Sequence, residues 1–278
     1  MGRESSKRSR KIKMYFACNI EGQLLDGGIE SKKLLFDSHQ KAIRQQLKDY
    51  LSPDRALNGD AIMQDCFPQI NDVNFFISHS HKDEAIAIQL ANIIWGLFNM
   101  KSFIDSMVWD YAEDLLVDID DEYSILTDNP KVYNYHKVGL SASYVHMMLA
   151  TSLTGMMDKC DCIIFINTPN SINPSEIKHS STTFSPWIFH ELSMIQFLKV
   201  KEPKIALEHF SQRKIAAAAH APLQMHLPTK VNELATLKYE HLLTVSNNIE
   251  SLGTLDNITR RIIVMNELET LVCKNGFV

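Results

Sequence analysis

Short apolar runs alternate with an amphipathic helical pattern in the middle of this chain, and this alternation restricts its fold more than any other feature. Residues 73–77 predict a strand, and a polar turn at residues 78–83 follows it directly. From Glu84 to about Phe98 apolar residues recur at helical spacing, which predicts a helix packed on a sheet. Such alternation predicts an α/β fold with parallel strands joined by crossover helices.

Further segments extend the pattern along the chain. Strands are predicted at 101–105, Cys162–Asn167 and 204–207, and helices at about 143–156 and 187–200. Beyond residue 209 the alternation ends and the chain is predicted to be mostly helical. We therefore expect three parts: an N-terminal extension over 1–70, the α/β domain over 71–208, and a helical C-terminal extension over 209–278.

Composition excludes some classes of function. A chain of 278 residues with 45% hydrophobic content suits a globular protein, and its net charge of −5 argues weakly against nucleic acid as the main partner. The five cysteines are odd in number and scattered, which indicates reduced thiols and no metal site.

No membrane span or secretory signal is predicted, so we expect a cytoplasmic protein without a membrane partner. The first six residues match a loose myristoylation pattern, and a solvated tail is the preferred interpretation.

One acidic side chain occupies a position suited to chemistry. Glu191 follows Trp187 by one helical turn, downstream of the apolar run Cys162–Asn167. We expect it in the first turn of a helix beyond the carboxyl end of a buried strand, where open α/β sheets bind ligands. The simpler alternative is an ordinary solvated carboxylate near a helix start.

Four ordered motifs resemble the TIR (Toll/interleukin-1 receptor) domain, most closely its bacterial members. They are Phe75-Phe76-Ile77-Ser78-His79-Ser80 with Asp83, Phe103-Ile104-Asp105 with Trp109, Asp161-Cys162-Ile163-Ile164-Phe165-Ile166, and Ser185-Pro186-Trp187-Ile188-Phe189-His190-Glu191-Leu192. The resemblance covers about half of the chain, so the predicted central domain, 71–208, is TIR-like. It implies a flavodoxin-like parallel sheet flanked by helices.

The resemblance also implies an activity, cleavage of NAD at the nicotinamide–ribose bond. The family's reactive glutamate lies in a Trp-Cys-x-x-Glu pattern, which matches Trp187, Ile188 and Glu191, with Ile188 in place of the cysteine. Glu191 is thus the predicted catalytic residue. NAD+ is the substrate, so no separate cofactor is expected, and no metal is expected either.

The chemistry needs one carboxylate. Breaking the N-glycosidic bond produces an oxocarbenium-like ribose, and nicotinamide leaves as a neutral ring without help from an acid. An ionised carboxylate beside the ribose stabilises the developing charge. Attack by water gives ADP-ribose, while attack by an adenine atom or another hydroxyl gives a cyclic or conjugated product, and the sequence leaves this choice open.

The predicted substrate-binding residues are Phe76, Ser78, His79, Asp105, Trp109 and Trp187. The alternatives are that Phe76 belongs to the core, that His79 lies on the loop surface, and that Trp109 seals the sheet edge instead of stacking on adenine. Trp187 is expected to shape the pocket without reacting. His190 should point about 100° away from Glu191 on the helix, which disfavours a dyad. The acidic run Asp118, Asp120, Asp121 and Glu122 is expected to be a solvated face.

The resemblance further implies a role in bacterial antiphage or stress defence. Self-association through TIR domains and a separate effector that senses the product are the expected partners. Two other functions remain open: a non-catalytic TIR scaffold that binds partner TIR domains, and a related fold acting on nucleosides as a glycosidase or transferase.

Overall fold

The computed structural model describes residues 16–21, 47–54, 56–109, 112–126, 129–174, 181–199 and 227–274. The strands in this part of the chain are β1 (Phe16–Glu21), β2 (Phe75–Ser78), β3 (Ser102–Phe103), β4 (Ile125–Leu126), β5 (Asn129–Tyr133), β6 (Cys162–Asn167), β7 (Asn173–Pro174), β8 (Ser181–Thr183), β9 (Leu227–Thr229) and β10 (Ala235–Thr236).

The α-helices of the same ranges are α1 (Gly59–Cys66), α2 (Glu84–Phe98), α3 (Asp105–Val108), α4 (Ala112–Tyr123), α5 (Tyr135–Lys159), α6 (Pro186–Lys199), α7 (Tyr239–Ser251) and α8 (Asn257–Lys274). Short 3₁₀ turns lie at Leu47–Tyr50, His81–Asp83 and Val231–Glu233. None of the described helices is both long and apolar enough to cross a bilayer.

Five strands form one parallel sheet in the order β10-β1-β6-β2-β3, which confirms the predicted α/β class. The strand at its centre is β6, whose buried run Cys-Ile-Ile-Phe-Ile is apolar on both faces, as strands of a covered parallel sheet are. It pairs with β1 along its full length and with β2 from Cys162 to Phe165. This register places Ser78 at the carboxyl edge of the sheet.

The two faces of the sheet bury separate cores, because successive strand side chains point to opposite sides. One core joins alternate strand residues to α2, α7 and α8. The other joins the remaining strand residues to α1, α4, α5 and α6. Helices therefore cover both faces, and those on the second face hold the candidate active site.

The predicted extensions contribute to this sheet. The segment 1–70 supplies β1, which lies between β6 and β10, and the segment 209–278 supplies β10, α7 and α8. The boundaries predicted near residues 70 and 208 therefore do not delimit the sheet. The β1 residues Phe-Ala-Cys-Asn-Ile-Glu have no strict alternation of apolar and polar side chains that would mark a strand. The predicted strand 204–207 lies outside the described residues.

Among the predicted elements, two have bounds that differ markedly in the structure. The strand predicted at 101–105 is shortened to Ser102–Phe103, because Asp105 begins α3. The helix predicted at 143–156 is the longer α5, which begins after Asn134, whose side-chain oxygen accepts from the amides of His136 and Lys137. A β4–β5 hairpin precedes α5.

An ion pair fastens the last helix to the amino edge of the sheet. Arg261 of α8 donates two hydrogen bonds to Asp161, from Nε at 2.6 Å and from Nη2 at 2.5 Å. The Asp161 side chain is only 5% exposed and also accepts from Asn74 Nδ2 at 3.2 Å. The bidentate geometry ties α8 to the residue that precedes β6.

Candidate active site

Glu191 lies in the second turn of α6, one turn later than predicted. The helix begins at Pro186, and the Ser185 hydroxyl accepts from the amide of Ile188 at 3.3 Å, as expected for a capping serine. Glu191 is the sixth residue of α6 and only 4% exposed. The alternative of a solvated carboxylate at a helix start is therefore wrong.

Ser78 is the direct partner of this carboxyl group. It is the last residue of β2, it is 1% exposed, and its hydroxyl donates a short hydrogen bond to Glu191 Oε2. The contact joins the first predicted motif to the fourth across the carboxyl edge of the sheet. Two of the predicted site residues are thus brought together.

Burial changes the acidity of Glu191. Desolvation, followed by the negative charge of Asp105, raises the pKa of Glu191 to about 8, and the hydrogen bond from Ser78 opposes this rise. The carboxyl group is therefore mostly protonated at neutral pH in this state. A strongly perturbed carboxyl at the edge of an α/β sheet is a common feature of catalytic sites.

His79 and Asp105 extend the site on the side of β3. The His79 side chain is 2% exposed, so it is not on the loop surface, and its Nδ1 lies 3.8 Å from Asp105 Oδ1. Its Nε2 lies 3.3 Å from the hydroxyl of Ser106, a residue that the sequence analysis did not single out. The Asp105 side chain is 34% exposed and adds a second carboxyl group to the site.

A small cleft opens beside these residues. Its volume is about 60 Å³, and its lining residues are His81, Asp105, Ser106, Trp109, Ala112, Glu113, Leu149, Leu153 and Trp187. Glu191 is not among them. Sites for small molecules commonly measure about 300–1,000 Å³, so this cleft, as the described residues bound it, is too small for a dinucleotide.

Two predicted substrate-binding residues pack largely in the core. Phe76 is 1% exposed, and its ring centroid lies 5.5 Å from that of Phe103. Trp109 is 4% exposed, packs edge-on against Phe67 and Phe103, and donates from Nε1 to the Pro68 carbonyl at 2.9 Å. The indole N–H therefore has a hydrogen-bond partner, which agrees with the alternative that Trp109 seals the sheet edge. Trp109 also lines the cleft.

The residues around Glu191 on α6 face different neighbours. Trp187 lines the cleft and packs edge-on against His146, with 5.3 Å between the ring centroids. Ile188 is only 3% exposed and belongs to the core. His190 Nε2 lies 3.2 Å from both Thr154 Oγ1 and the Ala150 carbonyl on α5. The imidazole therefore contacts α5, as its predicted direction away from Glu191 allows.

A second polar network lies at the same edge of the sheet. Asp83 is 2% exposed and accepts from Thr168 Oγ1 at 2.5 Å and from Asn170 Nδ2 at 2.8 Å. These bonds fasten the turn after β2 to the turn after β6. Asp83 belongs to the first motif, but Thr168 and Asn170 carry no pattern that would have identified them.

Within the described ranges, no group of three or more His, Cys, Asp and Glu side chains is placed to hold a metal ion. Within the acidic run on α4, Asp120 accepts from the buried Ser124 hydroxyl and Asp121 accepts from Tyr133. Comparison of the chain with models of protein families, with curated proteins and with solved structures found no match.

Proposed function

We propose that this chain is a TIR-type enzyme that cleaves NAD+ at the nicotinamide–ribose bond, with Glu191 as the catalytic carboxylate. The observation that carries the proposal is the buried carboxyl group of Glu191 at the carboxyl edge of a parallel sheet, hydrogen-bonded to Ser78. The product is ADP-ribose or a cyclic or conjugated derivative. No separate cofactor enters this scheme.

The strand order gives partial support for a TIR-like, flavodoxin-like core. In a flavodoxin-like sheet the first three strands of the unit lie in the order 2-1-3. The strands β3-β2-β6 have this order when β2 is taken as the first strand. The remaining positions are filled by β1 and β10, which come from outside the stretch that resembles the family, and this is a departure from the 2-1-3-4-5 order.

The proposed reaction uses the charge of the substrate to ionise the enzyme. The nicotinamide ring of NAD+ is cationic, and a cation beside Glu191 lowers the pKa of its carboxyl group. The resulting carboxylate stabilises the oxocarbenium-like ribose as the C1′–N bond breaks and neutral nicotinamide departs with the bonding electrons. Water then adds to C1′ and loses its proton, which gives ADP-ribose.

Substrate entry requires the site to open. The cleft of about 60 Å³ is bounded by Asp105 and Ser106 of α3 and by Trp109, so movement of this segment away from α6 would enlarge it. We infer that self-association supplies this opening, in keeping with the assembly that the TIR resemblance implies. The product would then act as a signal for an effector in bacterial antiphage defence, in the cytoplasm.

The rival function is a non-catalytic TIR scaffold. Two observations favour it: the closed cleft and the replacement of the motif cysteine by the buried Ile188. A scaffold needs no accessible carboxyl group. The polar contacts of Glu191 would then serve only to join β2 to α6.

Incubation at high protein concentration separates these functions. Wild type and Glu191→Gln are each incubated with NAD+ and, in parallel, with a free nucleoside, and the mixtures are analysed by chromatography. Loss of NAD+ with wild type alone supports the enzyme. Survival of NAD+ with both proteins supports the scaffold, and consumption of the nucleoside supports a nucleosidase.

A further inference from the structure

A second and larger cavity lies between α1, α4 and α5. Its volume is about 640 Å³, within the range of about 300–1,000 Å³ that is common for small-molecule sites. Its lining residues are Ala56, Leu57, Gly59, Ile62, Ile119, Tyr123, Ser124, Lys137, Leu140, Ser141, Tyr144 and Met148. It shares none of them with the cleft beside Asp105, so it is a separate site.

The end of this cavity next to α1 is apolar. Gly59 lies at the start of α1, and a Cβ added there would meet Met148 Sδ of α5 at 3.9 Å, so the two helices approach closely. Leu57 and Ile62 continue the same wall. The described side chains at this end offer dispersion contacts and exclude water, which suits a hydrocarbon chain.

The polar groups collect at the opposite end, where α4 finishes and α5 begins. The hydroxyl oxygens of Ser124 and Ser141 lie 3.4 Å apart. Ser141 donates to the Lys137 carbonyl at 2.9 Å, and Lys137 Nζ donates to the Tyr123 carbonyl at 3.0 Å. From one end to the other, the lining of the cavity therefore changes from apolar beside α1 to polar beside Lys137.

The charge at that end selects a type of ligand. Among the lining residues that the structure describes, Lys137 is the one charged side chain, and its ammonium group has three donors, of which the Tyr123 carbonyl takes one. Ser124 donates its hydroxyl proton to Asp120 Oδ1 at 2.7 Å, so this proton is not available to a ligand and Lys137 supplies the donors at the polar end. Lys137 is exposed, and an acceptor group with negative charge is the ligand group best suited to replace water at its remaining donors.

Apolar side chains also stand exposed at the rim. Leu140 is 55% exposed and Tyr144 is 63% exposed, and both line the cavity while facing solvent. They follow one another at i and i+4 on α5, next to the polar end. An apolar rim beside an open cavity is typical of a ligand-binding groove.

We propose that this cavity binds a free fatty acid of medium chain length. Its hydrocarbon chain lies between α1 and α5, and its carboxylate lies on Lys137. The volume of the cavity, its apolar end and the charge of Lys137 carry this assignment, which does not depend on the proposed cleavage of NAD+.

Calorimetry with dodecanoate, dodecanol and dodecylammonium, each below its aggregation concentration, tests the proposal on the full chain. We expect dodecanoate to bind more tightly than the other two. Lys137→Met should lower the affinity for dodecanoate about tenfold, because it removes a charge-assisted hydrogen bond. The affinity for dodecanol should not change. Lys159→Met, on the same helix but outside the cavity, is the matched control and should have no effect.

Met148→Trp fills the apolar part and should abolish binding of dodecanoate and dodecanol alike. Its thermal unfolding is measured first, and Leu57→Trp replaces it if the fold is lost. The proposal is overturned if dodecanoate does not bind, if dodecylammonium binds equally well, or if Lys137→Met binds dodecanoate as wild type does. Binding that survives both tryptophan variants would indicate surface adsorption and would also overturn it.

Discussion

The hydroxyl of Ser78, the last residue of β2, donates a hydrogen bond to the carboxyl group of Glu191 in the second turn of α6. Both side chains are buried, so this contact sets the protonation state of Glu191 together with desolvation and the charge of Asp105. The same contact joins a strand and a helix separated by 113 positions.

The pH dependence of NAD+ cleavage should report the raised pKa of Glu191. Since kcat/KM reflects the free enzyme, it should rise with pH and level off above about pH 8. The midpoint of kcat should lie at lower pH, because the bound nicotinamide cation favours the carboxylate. Steady-state rates measured across this range check both midpoints, and a kcat/KM that does not change through pH 8 contradicts the assignment.

Two substitutions should move the kcat/KM midpoint in opposite directions. Asp105→Asn removes a like charge and should shift the midpoint to lower pH. Ser78→Ala removes a hydrogen bond that favours the ionised form and should shift it to higher pH. Glu250→Gln, exposed on α7, serves as the control. Shifts of the same sign would show that these contacts do not govern the titration.

Stability should also depend on Glu191. Folding raises its pKa from an ordinary value of about 4.3 to about 8, so the folded state holds the proton more tightly. The contribution of Glu191 to the free energy of unfolding is fully present below about pH 4.3, and it is lost as the pH rises towards 8. Glu191→Gln stays neutral and should gain stability relative to wild type over this interval, on the order of a few kcal/mol. Urea unfolding at several pH values measures the difference in the free energy of unfolding between wild type and Glu191→Gln. A difference that does not change with pH would contradict this prediction.

The ion pair between Arg261 and Asp161, at the amino edge of the sheet, should stabilise the fold. Arg261→Met removes both donors to the buried carboxylate of Asp161 and should lower the free energy of unfolding by about 2 kcal/mol. Arg260→Met, one position earlier on α8, is the matched control. Denaturant titration of both variants checks the value, and an equal loss in the two would mean that the pair contributes little.

The sequence predicted the parts of the fold whose patterns are local. The helix Glu84–Phe98 and the strand Cys162–Asn167 have the predicted bounds, because an amphipathic stripe and a continuous apolar run identify them. The strand β1 was missed because its six residues are paired on both sides by strands more than a hundred positions away. No local pattern records such a partner.

The candidate site shows the same division. Glu191 and Ser78 were identified from ordered motifs, and the structure brings them together. Ser106 was missed because its contact with His79 depends on how β3 aligns with β2. Trp109 was expected at the substrate, but its packing against Phe67 depends on a segment that the motifs do not cover.

The release of nicotinamide from NAD+ by wild type and by Glu191→Gln, at equal and high protein concentration, tests the central claim most directly. We predict steady release by wild type and by the control Glu250→Gln, and none above background by Glu191→Gln, whose fold is verified by thermal unfolding. Equal release by wild type and Glu191→Gln, or no release by wild type at any concentration, would contradict the assignment of Glu191 as the catalytic carboxylate.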